Sequence, residues 1–216
     1  MSQDLLILFA AGMLVTAYLM VGQKALFTAI RLYALQSMLL GGVAVLMAVT
    51  EDRPHLLASA ALTVALKGML IPWFLMRVID RVGIHREVEP ILNVPSSLLI
   101  CLGLTVIGYR VSTGLVEGTG SAAHHVIGVS LSMLLMGLFL MVTRRKAVTQ
   151  ILALLTVENA VFLVALGAAT RGMPLVVELG ISFDVLVAVL VLGVLVRRIV
   201  DRFESMDVSR LSKLKG

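Results

Sequence analysis

The stretch AVTQILALLTVENAVFLVALGAAT, residues 147–170, decides how the chain must be read. It is almost unbroken apolar sequence, and about twenty such residues cross a hydrocarbon core of about 30 Å as a helix. Glu158 stands near its middle. A charge there costs about 2.5–3.5 kcal/mol on insertion, so such a carboxylate normally faces a bundle interior or a water path. A second apolar run, residues 174–198, follows after only Arg171-Gly172-Met173, and Asp184 lies ten residues into it. A connection this short makes the two runs an antiparallel hairpin. Both acids are then expected at similar depth, on one polar track.

The rest of the chain has the same character. Of its 216 residues, 59% are hydrophobic and only 14% are charged, and the mean hydropathy is +1.03. Composition of this kind excludes a soluble domain and defines a polytopic membrane protein. The formal charge of +5 does not indicate a nucleic-acid partner. The basic residues gather at helix ends, where membrane topology requires them, and an aromatic share of 5% is too low for base stacking. Cys101 is the single cysteine and sits in an apolar run, which excludes an internal disulfide and a thiolate set for an iron–sulfur cluster or structural zinc. No cofactor is expected. The start, Met1-Ser2-Gln3-Asp4, lacks a basic n-region, so the first apolar run is expected to be a retained helix.

Seven spans can be marked: residues 5–21, 25–49, 55–79, 91–110, 121–143, 147–170 and 174–198. The expected fold class is therefore all-α, a polytopic membrane protein of seven transmembrane helices. The connections are short; the longer two are residues 80–90, charged and closed by Pro90, and residues 111–120, rich in glycine. A polar tail occupies residues 201–216. Lys24, Arg31, Arg77, Arg81, Arg86, Arg144, Arg145, Lys146, Arg197, Arg198, Arg202, Arg210, Lys213 and Lys215 fall on one side, against Arg53, Arg110 and Arg171 on the other. The positive-inside rule then puts the N-terminus outside and the C-terminus in the cytoplasm.

The two ends of the chain also resemble each other. Lys24-Ala25 and Gln36-Ser37 match Lys146-Ala147 and Glu158-Asn159 at one offset of 122, and 77–82 match 198–203 at an offset of 121. This predicts a parallel 3+1+3 repeat: a three-helix unit in residues 1–90, a connecting helix and loop in 91–120, and a second three-helix unit with its tail in 121–216. Gln36 is then the neutral counterpart of Glu158. Asp184 corresponds to Thr63, with Lys67 one turn further on.

Each polar residue admits a structural and a functional reading. Glu158 and Asp184 could be hydrogen-bonded glue between helices, or carboxylates that take up and release a proton; the second reading is preferred. Lys67 is too deep to snorkel, so it must pair with an acid or stay neutral. It is either a relay group or half of a fixed ion pair with a partner subunit. Pro72 removes a backbone donor near it, a possible hydration point. Glu178, about a turn into the last span, reads foremost as a solvated helix-start acid. Asn159, Gln36, Ser182 and Glu178 are the neighbours or entry points a path through these groups would use. Arg31 is expected to snorkel to the surface, His124-His125 to be interfacial and not a metal site, and the twelve methionines to be packing. No phosphate loop, nucleophile elbow or metal cluster is present in the sequence, so the expected protein is not an enzyme by itself.

Several of these motifs together resemble a known family. The acid in a basic-flanked helix, the acid in the next helix and the end Asp207-Val208-Ser209-Arg210-Leu211-Ser212-Lys213-Leu214-Lys215-Gly216 are similar to the K subunit of respiratory complex I and the C subunit of Mrp-type antiporters. Over the whole chain, the length, the Lys67-x-x-Leu-x-Pro-like third span, Glu158-Asn159, Glu178-x-Gly180-Ile181 with Asp184, and the Leu-x-x-Leu-Lys-Gly end resemble component E of hydrogenase-4. Asp184 stands where the K-type subunits usually carry Glu. The resemblance implies a membrane subunit of a complex-I-like, formate-hydrogenlyase-type assembly of the inner membrane. Its partners would be antiporter-like membrane subunits and hydrogenase-type membrane and iron–sulfur subunits, and its acids would continue a proton or ion path. The competing expectations are a stand-alone SWEET-like facilitator, which shares the 3+1+3 plan, and a scaffolding subunit whose polar residues only bind neighbours.

Overall fold

The computed structural model describes residues 2–50, 55–82, 92–115 and 121–169. The expected seventh span, with Glu178, Ser182 and Asp184, and the C-terminal tail lie outside these residues.

Every element described is helical: α1 (Ser2–Gly22), α2 (Leu26–Thr50), α3 (His55–Thr63), a π-helical segment (Val64–Leu70), α4 (Ile71–Val82), α5 (Val94–Leu115), α6 (Ser121–Thr143) and α7 (Ala147–Ala169). Six helical stretches among the described residues are long and apolar enough to cross a membrane, the third running from α3 through the π-helical segment into α4. Backbone groups have no water to bond in hydrocarbon, so each span satisfies them along its own axis. Hydroxyls follow the same rule: Thr16, Ser130, Ser132 and Thr156 each donate to a carbonyl three or four residues back.

Two boundaries differ from the sequence expectation. The fourth span begins at Val94, after Asn93, whose carbonyl accepts the Ser97 N–H at 3.0 Å. Pro95 is tolerated at that first turn because its missing N–H would have no intrahelical partner there anyway. At its other end α5 continues through Leu115, past Arg110, where a glycine-rich connection was expected. Ser112 and Thr113 hold the added turn by donating to Tyr109 O at 2.8 Å and Arg110 O at 2.6 Å.

The third span departs more. Ile71 N–H donates to Leu66 O, five residues back, so the chain makes one wide turn around Lys67. Pro72, the next residue, has no N–H and cannot continue either the α or the π register. The widened turn is the local answer to a proline inside a span.

The helices pack as two hairpins, α1 with α2 and α6 with α7. Helix α1 lies on α6, α2 on α7, α5 on α6, and the third span on α2. Close approach depends on glycine at two crossings. A Cβ at Gly108 would stand 2.7 Å from Ser132 N, between α5 and α6, and one at Gly137 would stand 2.6 Å from Val157 Cγ2, between α6 and α7. Without a hydrophobic force between helices in lipid, such close contacts supply the packing energy. Large side chains fill the interior in two clusters. One joins Leu26, Ile30 and Tyr33 of α2 to Ile71, Leu75 and Ile79 of α4 and Leu152 and Leu155 of α7. The other takes Met13 of α1, Leu40 and Val43 of α2, Met133 and Met136 of α6, and Leu163 and Leu166 of α7. Between them, along α2 and α7, runs a layer that is not apolar.

Candidate functional site: a charged pair at mid-span

That layer is built from four spans. Glu158 lies eleven residues from either end of α7, about 16 Å at 1.5 Å per residue, hence at the middle of that span. Lys67 lies in the π-helical turn of the third span. Its ammonium Nζ is 3.6 Å from Glu158 Oε2, and the two side chains are 2% and 0% exposed. The distance is that of an ion pair, but it is longer than a direct hydrogen bond. The expected alternative partner for Lys67, an acid of another subunit, is not needed for this contact: the acid comes from its own chain.

Beside the pair runs a network of neutral groups with fixed direction. Thr16 Oγ1 donates to Met13 O at 2.7 Å. Gln36 Nε2 donates to both Met13 O and Thr16 Oγ1 at 3.3 Å. Asn159 Nδ2 then donates to Gln36 Oε1 at 3.2 Å and to Ser37 Oγ at 3.1 Å. All five residues Thr16, Gln36, Ser37, Glu158 and Asn159 are buried. The sequence reading singled out Glu158, Lys67, Asn159 and Gln36, and the structure brings these four into one layer. It also places Asn159 against Gln36 and Ser37, the pair aligned with Glu158-Asn159 at the offset of 122. Thr16 and the π-helical turn escaped that reading. A lone threonine in an apolar span carries no signal of its own, whereas Lys67 followed by Pro72 was a hint of irregular backbone.

Other polar residues lie elsewhere. Arg144, expected as a loop cation, is buried at the end of α6, where its Nη2 donates to Val21 O and so caps the C-terminal end of α1. Arg31 is exposed and free to reach a headgroup region. His124 lies 3.5 Å from Ser112 Oγ through Nδ1 and meets the Tyr109 ring edge-on, with centroids 6.3 Å apart; His125 meets the same ring at 6.2 Å.

Six membrane-long helices among the described residues, with a buried Lys–Glu pair at mid-span, define a multi-pass α-helical membrane protein with an ionisable interior. The chain is 34% identical, over 214 residues covering 98% of its own length and 97% of the relative's, to a protein of Mycobacterium tuberculosis (strain ATCC 25618 / H37Rv) named uncharacterized protein Rv0085. It belongs to the family of that protein. A shorter stretch of 90 residues, 42% of this chain and 41% of the relative, is 37% identical to hydrogenase-4 component E of Escherichia coli (strain K12) and of Shigella flexneri. No protein-family profile matches the chain, and no solved structure does.

Proposed function

We propose that the protein is a non-redox membrane subunit of a complex-I-like, group 4 hydrogenase-type assembly, in which Lys67 and Glu158 move protons through the bilayer centre. The observation that carries this reading is the Lys67–Glu158 pair, two charges in contact at mid-span inside a widened helical turn. Mid-membrane ionisable groups facing a bundle interior mark ion and proton pathways, and π-turns recur at functional sites. A proton delivered to Glu158 neutralises the carboxylate and releases the ammonium of Lys67 toward a further acid. Asp184 is the candidate acceptor in the sequence, with Glu178 and Ser182 toward an entry point. Gln36 and Asn159 hold the layer in register beside the pair.

The partial match to hydrogenase-4 component E supports membership in a hydrogenase-type complex. The partners proposed are antiporter-like membrane subunits and hydrogenase-type membrane and iron–sulfur subunits, which would supply the redox energy. The location proposed is the cytoplasmic membrane, N-terminus outside, with seven spans. The contact of Asn159 with Ser37 supports a parallel repeat, because equivalent helices related by an axis along the membrane normal meet at equal depth.

Glu158→Gln and Asp184→Asn, introduced into the complex and assayed for proton translocation in proteoliposomes, test the relay. Loss of translocation with assembly intact is expected, and unchanged pumping in both variants removes the relay role. The nearly complete burial of the pair favours one second reading, a scaffold locked by a fixed ion pair. That reading predicts that translocation survives in every variant that still assembles. Purification in mild detergent tests the assembly itself. The expected result is copurification with the antiporter-like and iron–sulfur subunits; an isolated oligomer would favour a stand-alone carrier.

A further inference from the structure

The direction of the amide network can be fixed without seeing a hydrogen. Met13 O is a backbone carbonyl and can only accept. Thr16 spends its one hydroxyl proton on that same carbonyl, at 2.7 Å. Gln36 faces both of these oxygens, so it must present its nitrogen to them and its Oε1 to Asn159. Asn159 must then present its own nitrogen to Gln36 Oε1 and Ser37 Oγ. Both donors of Asn159 are thereby committed to α2, and its carbonyl oxygen Oδ1 is turned away from that helix. This oxygen is fully buried and accepts no hydrogen bond among the described residues. An amide flip, the usual remedy for such an oxygen, is closed off because it would set oxygen against oxygen back to the Met13 carbonyl.

A second observation concerns the adjacent residue. The Lys67–Glu158 contact of 3.6 Å lies beyond direct hydrogen-bonding distance, and at that separation one water can touch both groups from the side. A buried acceptor that the fold cannot turn toward a donor, in the residue next to Glu158, offers the polar surrounding and the partners that a buried water takes.

We propose that Asn159 Oδ1 anchors an ordered water beside the Lys67–Glu158 pair, and that this water links the pair to the amide network of α2 and α7. The water donates one hydrogen to Asn159 Oδ1 and the other to the Glu158 carboxylate, and its lone pair faces the Lys67 ammonium. Asn159 is thus a ligand for the water and leaves proton transfer to its charged neighbours. The inference deepens the relay reading, since a proton passing between Glu158 and Lys67 would cross this water, but its test is separate from that of the relay.

The test is a density map of the full chain in lipid nanodiscs, or in its complex, at a resolution that shows ordered water. A peak within hydrogen-bonding distance of Asn159 Oδ1 is expected in the natural sequence and is expected to vanish in Asn159→Leu while α2 and α7 keep their positions. Infrared spectra supply a second readout: the Glu158 carboxyl band, assigned by its loss in Glu158→Gln, should shift between H2O and D2O in the natural protein and lose that shift in Asn159→Leu. If the leucine variant does not fold, the map of the natural protein decides alone. Oδ1 packed against apolar side chains without density, or accepting directly from Lys67 Nζ, overturns the proposal. A water peak with unchanged pumping in both Glu158→Gln and Asp184→Asn would remove the relay and leave the water site standing, while the reverse pattern would remove the water site alone.

Discussion

Lys67 and Glu158 stabilise one another only as long as both are present. Taking either charge out of water costs several kcal/mol, which the partner's field offsets at close range. Removing one partner takes that offset away and leaves the other charge buried. Glu158→Leu or Lys67→Met alone should therefore destabilise the protein by about 3–5 kcal/mol, whereas the double replacement should be nearly neutral. Thermal unfolding of the full chain in detergent reads this directly, and additive losses in the double variant would mean the two side chains are not coupled. The depth of Glu158 was legible in the sequence because a charge eleven residues from each helix end has nowhere else to be. Its partner was not, since no spacing rule connects residues ninety-one positions apart.

At the scale of the helix, the pair depends on how closely α6 and α7 approach. Gly137 faces Val157, the residue before Glu158, and a side chain there would meet Val157 Cγ2 and the Ala153 carbonyl. Gly137→Val should overpack this crossing, cost about 1–3 kcal/mol and displace Glu158 from Lys67. Gly103 of α5 supplies the control: a Cβ there meets nothing within 4 Å, so Gly103→Ala should leave the melting temperature unchanged. Equal effects at the two positions would show that helix propensity, not interhelical distance, governs the response. The third span gives the matching lesson for backbone. Lys67 and Pro72 were conspicuous in sequence, but whether the chain kinks, frays or widens around a proline depends on what packs against it. Here Gly41 of α2 lets Val64 approach closely enough that an added Cβ would collide with it, and the wide turn is seated against that helix.

For the whole molecule, the distribution of lysine and arginine predicts which ends face the cytoplasm. Cys101 is the single cysteine and is buried in α5, so Cys101→Ala gives a background for single cysteines introduced at Ser2 and Gly216. A membrane-impermeant thiol reagent applied to intact cells should label the first and not the second; the opposite pattern would invert the topology. Length, apolar runs and charge placement by themselves determined that this is a bundle of membrane-long helices with a carboxylate, Glu158, deep in one of them, because hydrocarbon forces every backbone group into helices and disfavours every charge. They also put Gln36, Lys67, Glu158 and Asn159 forward as unusual. Only the tertiary structure decided that these four share one layer, that Lys67 and Glu158 are each other's partners, and that Asn159 faces α2 with its nitrogen. The physical reason is that insertion acts on each helix separately, one residue at a time, whereas pairing between helices depends on rotation and close approach, which glycines and one widened turn set in three dimensions.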